Sequence, residues 1–167
     1  VSSRLVKWKN VELAIKTFED LKKKYPKLKL YIAWDWEEKK YLQNLSKNIS
    51  GVVFLLEISQ NEVKKYYQKC SIFLFTSLID AFWITILEAL AMEKPVISLN
   101  IWWWKEIIIH NKNWFLAKNE EEFILLTEKL LNDAKKRKEF WENWIKTVEE
   151  NYSQKIMFEK IEYIIYQ

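Results

Sequence analysis

The chain has 167 residues, of which 50% are hydrophobic and 30% charged, with a formal net charge of +4. That length supports one domain with a real core, and no apolar run approaches the ~20 residues needed to span a bilayer as a helix. The lysines are scattered over helical stretches such as "EDLKKKYPKLK" and "NDAKKRKEF" and form no basic stripe, which argues against a nucleic-acid partner.

In chain order, "VSSRLV" (1–6) reads as a strand start, and "NVELAIKTFEDLKKKY" carries apolar residues at helical spacing. Pro26 then breaks the chain before the β-rich run "LKLYIA". "EEKKYLQNLSKN" is helical, "GVVFLL" a strand, "QNEVKKYYQKC" helical and "SIFLFT" a strand. "ITILEALAME" is helical, and Pro95 opens the strand "KPVISLN". "KEIII" reads as a short helical turn, "WFLA" as a short strand, and from "NEEEFILLTEKLLND" the pattern stays helical to the end. Strands separated by helices predict an α/β fold, a Rossmann-like parallel sheet with helices on both faces and a helical C-terminal segment. Residues 1–167 form one domain on this reading. No secretory signal or initiating Met is present, so the N-terminus reads as a cut end. The lone cysteine, Cys70, forms no internal disulfide and reads as a buried thiol in a reducing compartment.

Two counts are abnormal: one glycine, Gly51, and ten tryptophans. Ordinary chains hold ~7% glycine. Nearly all the tryptophans fall where this map needs turns: Trp8 after the first strand, Trp34 and Trp36 after the second, Trp83 at a helix start, Trp102 to Trp104 after the fifth strand, and Trp114 before the sixth. Read with glycine in their place, "IAWDWEEKKYL" becomes IAGDG followed by a helix, and "NKNWFLA" becomes NKNGFLA. "DAFWITILEALAMEKPVISLNIWWWKEII" becomes acid-x-Phe-Gly, a second acid eight residues after the first, Pro-Val-Ile, a Gly-Gly turn and Glu-Ile-Ile.

Asp80 and Glu88 are the two acids of that pattern. The first stands in a loop after a strand and the second about two turns into the next helix. A carboxylate accepts several hydrogen bonds, which suits vicinal hydroxyls. Phe82, Trp83, Ile84 and Thr85 open the helix, where backbone N–H groups lack intrahelical partners and suit phosphate. The bland reading of the acids is helix-start charge, and that of Lys9 is a solvated turn. His110 reads as an exposed cation at a helix end. No His, Cys or carboxylate cluster suggests a metal, and neither a Ser-His-Asp set nor a Walker loop is present.

In these motifs the chain resembles the C-terminal, nucleotide-sugar-binding half of the retaining GT-B glycosyltransferases of glycosyltransferase family 4, the glycogen-synthase-like and mannosyltransferase-like group. The resemblance runs from "SSRLVKWKN" to the final helix. It implies that Asp80 holds the donor sugar, Glu88 the ribose, and Arg4 with Lys9 the pyrophosphate, stabilising the leaving group. Aspartate at 80 is one methylene shorter than the usual glutamate, and Ser3 stands where glycine is usual. Glu106 matches a family acid and reads as structural. The resemblance implies a UDP-, GDP- or ADP-sugar donor, no metal cofactor, and a sugar or lipid-linked acceptor bound by an N-terminal domain that these residues lack. It also implies a cytoplasmic enzyme, peripheral to a membrane only through that other half, and inactive as the isolated fragment. Two other readings stay open: a non-catalytic nucleotide- or glycan-binding module, and a Trp-rich interaction domain. The glycine pattern further predicts that Trp102, Trp103 and most other tryptophans are UGA codons read as glycine in the native host.

Overall fold

The computed structural model describes residues 1–33, 37–55, 58–79, 84–101 and 109–152. Helix α1 (Val11–Lys24) buries Val11, Ala14, Ile15, Phe18 and Leu21, the three- and four-residue spacing that makes one apolar face. It stops at Tyr25, ahead of Pro26, because the residue before proline is disfavoured in helical geometry. Lys22 closes the turn beyond by donating to the carbonyls of Pro26 (2.6 Å) and Leu28 (2.8 Å).

Strands β1 (Leu30–Ala33) and β2 (Val52–Leu55) pair in parallel, with Leu30 opposite Val52. Strands β3 (Phe73–Phe75), β4 (Val96–Leu99) and β5 (Phe115–Ala117) form a second parallel ladder in that order. The N-terminal segment joins β1 by a parallel bridge between Ser2 and Ala33, and the Ala33 N–H donates to the Val1 carbonyl at 3.0 Å. Successive strand residues face opposite sides, and both sides are buried. Leu74, Ile97, Phe115 and Ala117 enter a core with α1 and Phe123, Leu126 and Leu130. Their neighbours Phe73, Phe75, Val96 and Leu116 enter a second core with Val63, Ile86, Leu90, Trp114 and Trp144. The predicted parallel sheet with helices on both faces is therefore present.

The remaining helices are α2 (Lys39–Ser46), α3 (Gln60–Lys69), α4 (Ile84–Ala91), α5 (Glu120–Asn132) and α6 (Ala134–Tyr152). Ser59 and Glu62 cap α3 reciprocally, the Ser59 N–H donating to Glu62 at 2.9 Å. Asn119 caps α5 by accepting from the Glu122 N–H at 2.9 Å. Beyond Ala91, Glu93 takes a left-handed φ of 62°, and the Lys94 N–H reaches back to the Ala89 carbonyl at 2.9 Å, closing the helix end. Gly51 has φ +98°, and a Cβ there would meet the Leu28 carbonyl oxygen and Lys22 Nζ, each at 3.0 Å, so the single glycine stands where only glycine fits.

Four expectations change. The stretch 1–6 contributes one bridge rather than a strand, and Lys7–Lys9 form a 3-10 turn. The C-terminal helix is two helices, broken at Asp133, whose side chain accepts from the Lys136 N–H at 2.7 Å. His110 is exposed, as expected, but stands in a bridge to Trp114, and its ring Nδ1 accepts from the Leu116 N–H at 3.1 Å. Tryptophan is not confined to turns, since Trp141 and Trp144 lie inside α6 and Trp114 is fully buried. The predicted turn "KEIII" as far as residue 108, Trp34 to Trp36, Trp102 to Trp104, Glu106 and the chain beyond 152 lie outside the described residues.

Candidate functional site

Each ladder is parallel, so the strands of each sheet bring their carboxyl ends to one edge. In open sheets of this kind that edge holds the ligand. Two segments meet there. The first is the turn that follows the N-terminal bridge and carries Arg4 and Lys9. The second is the loop after β3, which leads through Ile79 toward Asp80 and α4.

They are stitched together by two hydrogen bonds. Thr76, 2% exposed, donates through Oγ1 to the Lys9 carbonyl at 2.8 Å. The Leu78 N–H donates to the Trp8 carbonyl at 2.8 Å. The Ser77 hydroxyl donates to the Ile79 carbonyl at 2.7 Å and shapes the loop itself. On the other side, the Glu38 N–H donates to the Leu5 carbonyl at 3.0 Å, tying the start of α2 to the same turn. Residues far apart in sequence are thus held at one edge by bonds between backbone groups and one buried hydroxyl.

Of the predicted site residues, Arg4 is exposed and Lys9 half-buried on the stitched turn. Ile84, the first residue of α4, is 60% exposed, and Thr85 and Glu88 are half-buried on the same helix. Asp80, Phe82 and Trp83 lie outside the described residues. The structure therefore brings the basic turn beside the described part of the loop after β3, which leads in sequence to the predicted acids.

One participant was not predicted. Tyr67 of α3 is 5% exposed, and its hydroxyl stands 3.1 Å from Glu88 Oε2 and 3.2 Å from the Thr85 carbonyl oxygen. Burial, first, and then the nearby Glu88 charge push the phenol well above the usual tyrosine range, so it stays a proton donor. The available signal was the doublet Tyr66–Tyr67 in "QNEVKKYYQKC", which helical spacing alone assigns to packing. Next to it, Cys70 donates to the Tyr67 carbonyl at 3.2 Å, and burial raises its thiol, which makes it a structural cysteine.

A cavity of about 330 Å³ lies between β1, α3 and β3, lined by Val1, Leu30, Ala33, Tyr67, Cys70 and Phe73 among others. Its wall is mainly aliphatic and aromatic, with Lys27, Lys29 and Lys69 at it. Among the described residues, no group of three His, Cys, Asp or Glu side chains could hold a metal ion, and no helix is long and apolar enough to cross a membrane.

Against known proteins, residues 1–147 match the family Glycosyl transferases group 1. An uncharacterized glycosyltransferase of Haemophilus influenzae is 30% identical over 135 residues, which is 77% of this chain and 38% of that protein. Among solved structures, the C-terminal domain of the group 1 glycosyl transferase LpcC from Francisella tularensis superposes with a TM-score of 0.79 at 22% identity, covering 92% of this chain and 84% of that one. Staphylococcus aureus TarM, in a complex with Fondaparinux, α-GlcNAc-glycerol and UDP, superposes with a TM-score of 0.82 at 22% identity, covering 95% of this chain and 33% of TarM. The chain spans 38% and 40% of the length of the first two curated relatives it matches. The chain belongs to the group 1 glycosyl transferases, and its sheet and helices are those of one lobe of a GT-B fold.

Proposed function

We propose that this member of the group 1 glycosyl transferases is the donor-binding lobe of a retaining enzyme of the family 4 type. On this reading it binds a nucleoside-diphosphate sugar at the carboxyl edge of the sheet. A separate N-terminal lobe supplies the sugar or lipid-linked acceptor. The observation that carries the reading is the double stitch of Thr76 to Lys9 and Leu78 to Trp8. It sets a basic turn against the loop that leads to the acid pair and the opening of α4. TarM, similar in fold, holds UDP in its complex, which supports a uridine nucleotide as the first donor to try.

The roles follow from charge. As the glycosidic bond to the diphosphate breaks, negative charge builds on the leaving phosphate. Arg4 and Lys9 are the groups that would neutralise it, aided by the N–H groups at the start of α4. Glu88 would accept from the ribose hydroxyls and Asp80 from the donor sugar. These groups bind and neutralise. None of them activates the acceptor, so sugar transfer needs the other lobe.

Calorimetric titration with UDP, GDP and ADP tests the reading. We expect binding that weakens as salt rises, because the diphosphate contacts are charge pairs. Glu88→Ala should weaken it roughly ten- to a hundred-fold, the worth of hydrogen bonds to a charged group at about 1.5–3 kcal/mol. No heat with any of the three at millimolar concentration would remove the donor-site reading. Transfer by residues 1–167 alone would remove the two-lobe part. A non-catalytic nucleotide-binding module would bind equally well and show no turnover after joining to a matching N-terminal lobe.

A further inference from the structure

We infer that Tyr67 is a positioning residue for Glu88, aiming its carboxylate at the ribose of the donor. This rests on the reading of Glu88 given above and adds to it a residue from a different helix. Tyr67 reaches α4 from α3 and meets two acceptors three residues apart, Thr85 O at 3.2 Å and Glu88 Oε2 at 3.1 Å. Positions i and i+3 lie on one face of a helix. One phenol therefore registers both the backbone of the first turn of α4 and the carboxylate one turn later.

The chemistry suits a positioning role. A glutamate side chain has three rotatable bonds, and a half-buried one on a helix can take several rotamers. A hydrogen bond from a neutral donor to one carboxylate oxygen selects among them without cancelling the charge. Among the described residues, Tyr67 is the hydrogen-bond partner of Glu88. A carboxylate has about four lone-pair sites, so one bond to Tyr67 leaves capacity for two vicinal hydroxyls. Tyr67 is itself held: its ring lies 5.5 Å from that of Phe73. A buried tyrosine hydroxyl needs some partner in any fold. What sets this one apart is that its partner is a carboxyl side chain on the helix that opens toward the site.

The test compares UDP with 2′,3′-dideoxyuridine diphosphate by calorimetry, using the protein as its gene encodes it, in wild type, Tyr67→Phe and Glu88→Ala. Tyr67→Phe keeps the ring and removes the hydroxyl. We expect it to weaken UDP about fivefold to tenfold and to leave the dideoxy ligand unchanged, because only the ribose hydroxyls feel the carboxylate. If Tyr67→Phe leaves both affinities unchanged, or lowers both equally, while Glu88→Ala weakens UDP alone, the inference on Tyr67 is overturned and the role of Glu88 stands. If Glu88→Ala has no effect on UDP, the role of Glu88 fails and the inference falls with it. Should Tyr67→Phe not fold, Tyr67→Leu, which also lacks the hydroxyl, takes its place. It should show the same ribose-dependent loss, and unchanged affinities for both ligands in Tyr67→Leu would overturn the inference.

Discussion

Replacing Thr76 by valine should separate site organisation from plain stability. Thr76 is 2% exposed, and its hydroxyl donates to the Lys9 carbonyl at 2.8 Å. Valine keeps the branched shape, so packing loss is small and the hydrogen bond is what goes. A typical bond contributes about 0.5–1.5 kcal/mol, and a partner left unsatisfied in a buried place costs about 1–3 kcal/mol. We therefore expect a loss of about 1–2 kcal/mol. A domain of this size shifts by roughly 2–4 °C per kcal/mol, so the melting temperature should fall by about 2–8 °C. The bond from the Leu78 N–H to Trp8 remains, so the turn should loosen rather than detach. UDP affinity should drop about threefold to tenfold as Lys9 loses its fixed place. Thr127→Val is the control. Its buried hydroxyl donates to the Phe123 carbonyl at 2.7 Å within α5, the same chemistry away from the site. It should lower the melting temperature without touching affinity. If the two variants lose stability alike and both keep full affinity, the stitch only stabilises the fold and the argument that it organises a donor site fails.

Gly51→Ala should destabilise by about 2 kcal/mol or more, since φ is +98° and the new Cβ would sit 3.0 Å from the Leu28 carbonyl oxygen; an unchanged urea midpoint would refute it. Ser59→Ala should lose about 0.5–2 kcal/mol by removing the α3 cap, read as a lower urea midpoint; an unchanged midpoint would mean that solvent replaces the cap. Acid should destabilise the domain. Glu12 is held below the usual glutamate range first by the hydrogen bond from Lys16, Glu62 by the Ser59 N–H, and Glu128 by Lys24. Their folded values lie below the ordinary ~4.3, so the stability they contribute is complete above that pH and is lost as pH falls through the folded values. Melting temperature should drop from pH 5 toward pH 3, with a shallower fall in Glu128→Gln; a flat profile would exclude these pairs as contributors.

Most of the fold was legible because its signals are local and redundant. Helical spacing marked α1, and Pro26 marked its end. The runs "LKLYIA" and "GVVFLL" marked β1 and β2, and the alternation of strands with helices implied parallel pairing. The break at Asp133 was not legible, because apolar spacing continues across it and only a side-chain cap interrupts the helix. The bond from the Leu116 N–H to the His110 ring was not legible, because it depends on where Leu116 comes to rest. The site was legible as a set of residue types. Its geometry was not. The stitch of Thr76 to Lys9 joins residues 67 positions apart, and no periodicity reports such a bond. Tyr67 was missed for the same reason: nothing in "YYQKC" says that one ring points at a carboxylate 21 positions on.

The tryptophans carry the last prediction, that the UGA codon stands at these positions and is read as glycine in the native host. At the described tryptophans, backbone strain gives it no support; Trp34, Trp36, Trp83 and Trp102 to Trp104 lie outside the described residues. The non-glycine residues with positive φ among those described are Asn10, Glu93 and Asn111, so Trp8, Trp114, Trp141 and Trp144 stand in ordinary backbone conformations. The described tryptophans instead give a sign test. Trp114 is 0% exposed, and its indole Nε1–H is buried with no hydrogen-bond partner. An unpaired buried donor costs about 1–3 kcal/mol, which disfavours tryptophan there. Against that, removing a buried aromatic side chain ordinarily costs about 3–5 kcal/mol through lost contacts and an unfilled cavity. If tryptophan is native, Trp114→Gly must therefore destabilise strongly. If glycine is native, the second core evolved without an indole, and the same substitution should leave stability unchanged or raise it. Urea unfolding of the two forms reads the sign directly, and UGG codons at 102, 103 and 114 would end the prediction whatever the unfolding shows. Intact-mass measurement on protein from the native host supplies the positive arm. Each UGA-encoded glycine would make the chain lighter than tryptophan does, by a fixed and countable step. With glycine at 83, 102 and 103, the backbone amides proposed to face the diphosphate would carry no side chain to keep it away.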